Sequence, residues 1–98
     1  MPSVDITDHA LARAVERFGI DSRYELGRLY ATGTHLPRGL CRQLGLKGAH
    51  AAKWCRDVGA LLILKQSEHA HGRDRMAIVT VIKPKRGQET LLRRILGA

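Results

Sequence analysis

The sequence predicts one α+β domain over residues 1–98, with an N-terminal helical hairpin packed on an antiparallel meander of three to four strands and a short C-terminal helix. Three observations predict this fold. Apolar residues recur at helical spacing as far as Gly33, short glycine-punctuated apolar runs follow, and helical spacing returns after Pro84. A chain of 98 residues has the usual size of one domain with one modest core.

The first helix is expected to begin after Thr7 and to end at Gly19. Thr7 suits the N-cap position, and Asp8 lies in the positively polarised first turn. Gly19 fits the left-handed residue that ends many helices, after which Ile20 packs back on the last turn.

A second helix is expected between Ser22 and Gly33. The segment Ser22-Arg-Tyr-Glu25 has the pattern of a capping box, in which the serine and glutamate satisfy free backbone amides reciprocally. Because the turn between the two helices is short, we expect them to pack together as a hairpin.

Beyond Gly33 the pattern predicts strands. Residues 51–56 and 60–66 are expected to form a β-hairpin around a turn at residues 57–59, which contains a glycine. The continuous apolar run at residues 61–64 indicates a strand in the centre of the sheet, buried on both faces.

The remaining elements are predicted from local composition. Residues 40–46 fit a further strand, although this run is ambiguous, and residues 67–75 form a polar loop. Met76–Ile82 is rich in β-branched residues and is expected to be a strand that ends before Pro84. Residues 88–96 are expected to form the C-terminal helix.

The charge is large and unevenly distributed. The net charge is +8 and the isoelectric point is about 10.3. Residues 1–35 carry four basic and five acidic side chains, whereas residues 36–98 carry thirteen basic and four acidic ones. Such an excess indicates an anionic partner. Nucleic acid is the first candidate partner, and an acidic protein or an anionic membrane would satisfy the same charge.

The sequence also predicts the compartment. No apolar run approaches the ~20 residues of a membrane span, and the opening Met-Pro-Ser-Val-Asp-Ile lacks the pattern of a signal peptide. Cys41 and Cys55 form no C-x-x-C motif. We therefore expect a cytoplasmic protein with two reduced, packed thiols, a structural disulfide being the alternative.

A polar stripe on the first helix is the main candidate for chemistry. His9, Arg13 and Arg17 are spaced by four and lie on one side of a helix. An imidazole titrates near neutral pH and guanidiniums bind phosphate oxygens, as cleavage of a phosphodiester requires. The alternative is a solvated helix face on which the arginines pair with carboxylates. Those carboxylates are Glu16 or Glu25 for Arg13 and Asp21 for Arg17.

The other histidines predict no metal site. His69 and His71 would project to one side of a strand, yet no third and fourth ligand follows at a familiar spacing. His50 is either a second titrating group or a hydrogen-bonded ring. Because the carboxylates are too scattered for a two-metal nuclease, we expect no metal and no cofactor.

A dense basic cluster follows the last strand. Such a cluster binds backbone phosphates without reading bases, with an affinity that depends strongly on salt; the alternative is a charged solvated edge. With four aromatic residues in the chain, a platform for stacking successive bases is not expected. The cluster comprises Lys83, Lys85, Arg86, Arg93 and Arg94.

Thr80 is a single hydroxyl in an apolar strand. Strict alternation places it on the face of Met76, Ile78 and Ile82. The opposite face then holds Ala77, Val79 and Val81. The hydroxyl either points toward an active face or bonds a neighbouring group.

Two segments carry a family resemblance. Ile-Thr-Asp-His-Ala-Leu-x-Arg-x-x-Glu-Arg-Phe-Gly-Ile at residues 6–20, and Ala-Ile-Val-Thr-Val-Ile at residues 77–82, resemble the barnase–EndoU–colicin–RelE ribonucleases, often toxins or phage products. The resemblance implies helices on a four-stranded antiparallel sheet and metal-independent RNA cleavage. It also implies a set of catalytic residues. These are His9, Arg13 and Arg17 from the helix and Thr80 from the last strand.

The sequence therefore predicts a small RNA-directed protein of toxin-like type, a metal-independent ribonuclease. His9 would act as general base or acid, and Arg13 and Arg17 would stabilise phosphate charge. A neutralising partner protein is a further expectation. The alternative is a non-catalytic, phage-type protein that binds nucleic acid or inhibits an acidic host enzyme.

Overall fold

A computed structural model of the protein describes residues 4–67 and 75–97. In this part of the chain four helices accompany a five-stranded mixed sheet, which confirms the α+β class. The strands are β1 (Val4–Ile6), β2 (Thr34–Leu36), β3 (Ala51–Cys55), β4 (Ala60–Gln66) and β5 (Met76–Ile82). The helices are α1 (Asp8–Phe18), α2 (Arg23–Thr32), α3 (Arg38–Gln43) and α4 (Arg86–Leu96).

The sheet extends beyond the predicted meander. Its strand order is β1-β5-β4-β3-β2, in which β3, β4 and β5 form the predicted antiparallel meander. Two edge strands were not predicted: β1 pairs parallel with β5, and β2 pairs antiparallel with β3. Each has three residues, which is too short to show an alternation of apolar and polar side chains. The prediction of a purely antiparallel sheet was therefore wrong.

Helices cover both faces of the sheet. On the first face, Leu62 and Leu64 of β4 are buried in a core with α1 and α2. On the second face, Leu61 and Ile63 are buried with α3 and α4, whose Leu92 is almost inaccessible. The position of β4 at the centre, buried on both faces, confirms the interpretation of its continuous apolar run.

Local capping fixes the position of α1. The Thr7 hydroxyl accepts a hydrogen bond from the Ala10 amide at 3.0 Å and donates one to the Ile78 carbonyl at 3.0 Å. The Thr7 amide also donates to the Ile78 carbonyl, at 3.2 Å. At the other end Gly19 is left-handed, with φ 67°, and the Ile20 amide donates to the Ala14 carbonyl. Both predicted caps are confirmed, and Thr7 in addition anchors α1 to β5.

The second helix differs from the prediction in two ways. The Ser22 hydroxyl accepts from the Glu25 amide at 3.1 Å, but the Glu25 carboxylate pairs with Arg28 at 2.6 Å. Only the serine half of the predicted capping box is therefore formed. Moreover, α1 lies on β5 whereas α2 lies on β1 and β3, and contact between the two helices is small. Each helix buries its apolar side against the sheet, so the hairpin arrangement is looser than predicted.

The segment predicted as a strand at residues 40–46 is largely helical. Helix α3 begins after Pro37, and Cys41 and Leu44 are buried in the core of the second face. Their spacing places both side chains on one side of a helical turn. Gly45, with φ 72°, ends the turn. The strand prediction was wrong because a run this short shows no reliable period.

A β-bulge in β5 reverses the faces of its later residues. Leu64 pairs with Ile78 but Ile63 pairs with Thr80, so Val79 is an extra residue. Strict alternation is therefore broken, and the prediction that Thr80 shares a face with Ile78 was wrong. Met76, Ile78 and Val81 pack in the first core, whereas Val79 and Ile82 pack in the second.

A glutamine side chain holds the start of α4, which begins two residues earlier than predicted. The Gln88 amide nitrogen donates to the Leu44 carbonyl at 2.7 Å, at the end of α3. Its oxygen accepts from the Lys85 amide at 2.8 Å. Together with the burial of Leu92, these bonds hold α4 on the second face beside α3.

The role of Thr7 is testable. Thr7→Val keeps the side-chain volume but removes the hydrogen bonds of the hydroxyl, so we expect the free energy of unfolding to fall by about 1–2 kcal/mol. Thr7→Ser keeps the hydroxyl and is the matched control. Urea unfolding followed by circular dichroism measures both variants. A Thr7→Val protein as stable as the Thr7→Ser protein would show that the hydroxyl does not anchor α1.

Candidate nucleic-acid interface

The outer side of α1 and α2 is electrically balanced. Residues 8–32 hold four arginines and four carboxylates, and three exposed or half-buried ion pairs link them. Exposed pairs contribute little to stability, but they neutralise this surface. The pairs are Arg13–Glu16 at 2.5 Å, Arg23–Asp8 at 2.5 Å and Arg28–Glu25 at 2.6 Å.

The polar stripe of α1 lies on this balanced surface. His9 is exposed and forms no hydrogen bond or ion pair with any residue in the described ranges. Arg13 pairs with Glu16, one of the two carboxylates considered from the sequence. Arg17 instead donates a hydrogen bond from Nη1 to the Val81 carbonyl at 2.9 Å. Val81 lies in the part of β5 that does not pair with β1. Two of the three side chains therefore already have protein partners.

Thr80 is separated from the stripe. It pairs with Ile63, whose side chain is buried on the second face, so the register assigns Thr80 to that face. Helix α1 packs on the first face. The four residues implied by the family resemblance are therefore not brought together as one cluster.

The outer side of α3 and α4 is strongly cationic. Segments 37–48 and 83–97 hold eight exposed basic residues and a single carboxylate, Glu89. Within residues 4–67 and 75–97, none of the eight forms an ion pair. We call these residues the basic face. They are Arg38, Arg42, Lys47, Lys83, Lys85, Arg86, Arg93 and Arg94.

The basic face extends the cluster predicted from the sequence. The five predicted residues belong to it, and α3 with the turn after it supplies the other three. This addition was not predicted because residues 40–46 were expected to form a strand. As a helix on the second face, this segment brings Arg38 and Arg42 to the same side of the molecule as α4.

A cleft of about 710 Å³ lies beside α4, between this helix and the ends of β2 and β3. Its volume falls within the ~300–1,000 Å³ of most ligand sites. Aromatic, apolar and charged side chains line the cleft together. Its lining residues are Thr34, Trp54, Arg56, Gly59, Glu89, Leu92, Arg93 and Leu96.

The polar groups of the cleft are available to a ligand. Trp54 is half-buried. Its indole N–H forms no hydrogen bond with a described residue, and it is not buried, so it is open to solvent. Arg56 and Arg93 are exposed and unpaired within the described chain. Glu89 lies one turn before Arg93 but forms no ion pair with it. The cleft thus combines an aromatic ring, an N–H donor and two guanidiniums.

No local sequence pattern indicates this cleft. The predicted hairpin places Trp54 and Arg56 close to its turn, but β2 and the packing of α4 supply the other walls. Those walls join segments far apart in the chain.

The cysteines take no part in either surface. Both thiols are free and buried, Cys55 on the first face and Cys41 on the second, so the prediction that they are packed side chains is confirmed. Burial raises the pKa of Cys55 to about 11 and also raises the pKa of Cys41. Thiols of this kind are poor nucleophiles near neutral pH.

The described histidines outside α1 suggest no metal centre. The Nδ1 atom of His50 accepts a hydrogen bond from the Gln66 amide at 2.9 Å, so this ring is hydrogen-bonded although it is exposed. His69 and His71 lie outside the described residues. Elsewhere in the described chain, no three His, Cys, Asp or Glu side chains are placed to hold a metal ion. None of its helices is long and apolar enough to span a membrane.

Comparison with protein-family models, with curated proteins and with solved structures finds no match. The fold and the two outer surfaces therefore define the class: an α+β protein with a mixed sheet, one balanced helical layer and one cationic helical layer. The family resemblance of α1 and β5 stays a prediction.

The buried Cys55 thiol predicts a pH effect on stability. Its pKa rises from an ordinary 9.0 to about 11 on folding, so the folded protein holds this proton where the unfolded chain loses it. The contribution of this thiol to the free energy of unfolding is therefore complete below pH 9.0, and it declines as the pH rises toward about 11. Cys55→Ala should flatten this decline relative to wild type in urea unfolding at several pH values. If the free energy of unfolding declines with pH as steeply in Cys55→Ala as in wild type, Cys55 has the same pKa in the folded and the unfolded state.

Proposed function

We propose that this protein binds RNA through the basic face. The observation that carries the proposal is the separation of charge: eight exposed, unpaired cations with one carboxylate on one outer layer, against four arginines and four carboxylates on the other. Unpaired guanidinium and ammonium groups spread over a surface suit a polymer of phosphates, which each of them can contact.

The surface chemistry favours a polyanion over a folded acidic protein. Protein interfaces usually have an apolar core within a polar rim. In the described chain the exposed large hydrophobic residues are Val15, Tyr24 and Val58, and none of them belongs to α3 or α4. The preference for RNA over DNA comes from the family resemblance of the sequence.

Salt dependence tests RNA binding. We expect the affinity for a long RNA to fall steeply between low and physiological salt, because each phosphate contact releases counterions. The double variant Lys85→Gln/Arg86→Gln should reduce the slope of log K against log salt by about 1 to 2, because two side chains no longer neutralise a phosphate. Fluorescence anisotropy of labelled RNA, and of DNA of the same sequence, measures the effect.

A variant with the same change of charge is the control. Arg23→Gln/Arg28→Gln removes two charges from the balanced layer, where both arginines are paired with carboxylates. We expect its slope to match that of wild type. An equal reduction of the slope in the two double variants would show that net charge, not the basic face, drives binding. Absence of RNA binding would contradict the proposal and leave an acidic protein as the partner.

Metal-independent RNA cleavage is a second candidate function. The observation that favours it is the state of His9, which is exposed and without a partner in the described residues. An exposed imidazole without a protein partner is available for proton transfer. Arg13 lies one helical turn away, although it pairs with Glu16. The separation of Thr80 on the other face leaves His9 and the arginines of α1 as the group to test.

Incubation of the protein with a long RNA in excess EDTA tests cleavage. We expect 2′,3′-cyclic phosphate ends, and a rate at least ~10²-fold lower for His9→Ala and for Arg13→Ala. His35→Ala is the control, since His35 is an exposed histidine on β2, away from α1. Intact RNA would contradict cleavage by this protein, and equal cutting by all four proteins would show that neither His9 nor Arg13 carries it.

A further inference from the structure

We propose that the cleft beside α4 holds one unpaired base of the bound RNA against Trp54, with Arg56 and Arg93 on the phosphates that flank it. This inference rests on the proposed RNA binding and goes beyond it. The basic face accounts for attraction of phosphates, whereas the cleft would select RNA that has a base free to enter.

The position of the indole supports this assignment. Trp54 belongs to β3, where it pairs with Thr34 on one side and Leu61 on the other, so the strands hold its backbone in place. Part of the ring packs on the core of the second face, and the rest lines the cleft. A fixed aromatic surface loses little conformational freedom when a base stacks on it, and such a contact tolerates any base.

The remaining walls suit the other parts of a nucleotide. The partly exposed Leu96 of α4 adds apolar surface to the lining of the cleft, which a phosphate alone would not need. Arg56 and Arg93 are exposed cations at the same cleft, and neither is paired with a described carboxylate. Guanidiniums bind phosphate oxygens in a bidentate manner. A base with an adjacent phosphate therefore matches both kinds of surface.

The cleft joins the basic face directly. Arg93 belongs to both, and the neighbouring Arg94 continues the cationic surface along α4. An RNA strand lying on the basic face would therefore pass the mouth of the cleft. A base within a duplex keeps both of its faces stacked, so only an unpaired or extruded base can enter.

The single tryptophan makes the cleft directly observable. Trp54 is the one tryptophan of the chain, so its intrinsic fluorescence reports on the cleft without a label. The probes are a single-stranded oligoribonucleotide, an abasic sugar-phosphate oligomer of equal length, the matching RNA duplex, and adenosine monophosphate. We expect quenching by the single strand, little change with the abasic oligomer or the duplex, and about tenfold tighter binding of the single strand than of the abasic oligomer.

Variants separate stacking from charge. Trp54→Leu should lower the affinity for the single strand to that for the abasic oligomer, as measured by anisotropy of labelled oligomers. Because Trp54 also packs on the core, Arg56→Gln provides a second variant at an exposed position; it should weaken single-strand binding several-fold and leave the fold unchanged by circular dichroism. Tyr24→Ala is the aromatic control, since Tyr24 is 74% exposed on α2 and should have no effect.

The outcomes distinguish this inference from RNA binding itself. Equal affinity for the single strand and the abasic oligomer, with unchanged fluorescence, would overturn the base site while RNA binding stands. Failure to bind any oligomer would overturn both. Binding of adenosine monophosphate as tightly as the oligomer would show a site for free nucleotides and overturn the assignment to RNA. Quenching by the single strand that needs a several-fold higher oligomer concentration in Arg56→Gln, and the wild-type concentration in Tyr24→Ala, would support it.

Discussion

The central strand β4 has to be covered on both faces, and the rest of the architecture depends on this constraint. Every residue from Ala60 to Leu64 is nearly inaccessible, with alternate side chains in two separate cores. Exposing either row to water would cost about 25 cal/mol for each Å² of apolar surface. The chain therefore needs helices on both sides of the sheet. Because each helical layer has an outer side, the molecule acquires two surfaces whose charges are independent of one another.

The same constraint positions the candidate interface. Helix α4 lies where it does because Leu92 enters the second core and Gln88 bonds to the end of α3. These interactions bring Arg93 beside Trp54, although one residue lies on a helix and the other on β3. The site is thus a consequence of how the core is completed. On the first face, Thr7 and Arg17 tie α1 to β5 in a comparable way, and this leaves His9 as the free polar side chain of that stripe.

Features set by neighbouring residues could be predicted from the sequence, and features set by distant residues could not. The caps at Thr7 and Gly19 follow from side-chain chemistry within one turn, and the apolar run of β4 indicates a central strand by itself. The bulge at Val79 depends on the partner strand, so strict alternation assigned Thr80 to the wrong face. The cleft joins β2, β3 and α4, and no local pattern reports such a junction. The basic residues of α4 were predictable because charge alone marks them.

The unequal charge of the two helical layers has a consequence for motion in solution. A molecule that is neutral on one side and cationic on the other has a charge centre displaced from its centre of mass, across the thickness of the sheet. In the field of a polyanion it experiences a torque as well as an attraction. It would turn its α3 and α4 side forward before contact, so a larger share of collisions would begin in a useful orientation. The sheet thus acts as a spacer that gives a small protein a direction of approach.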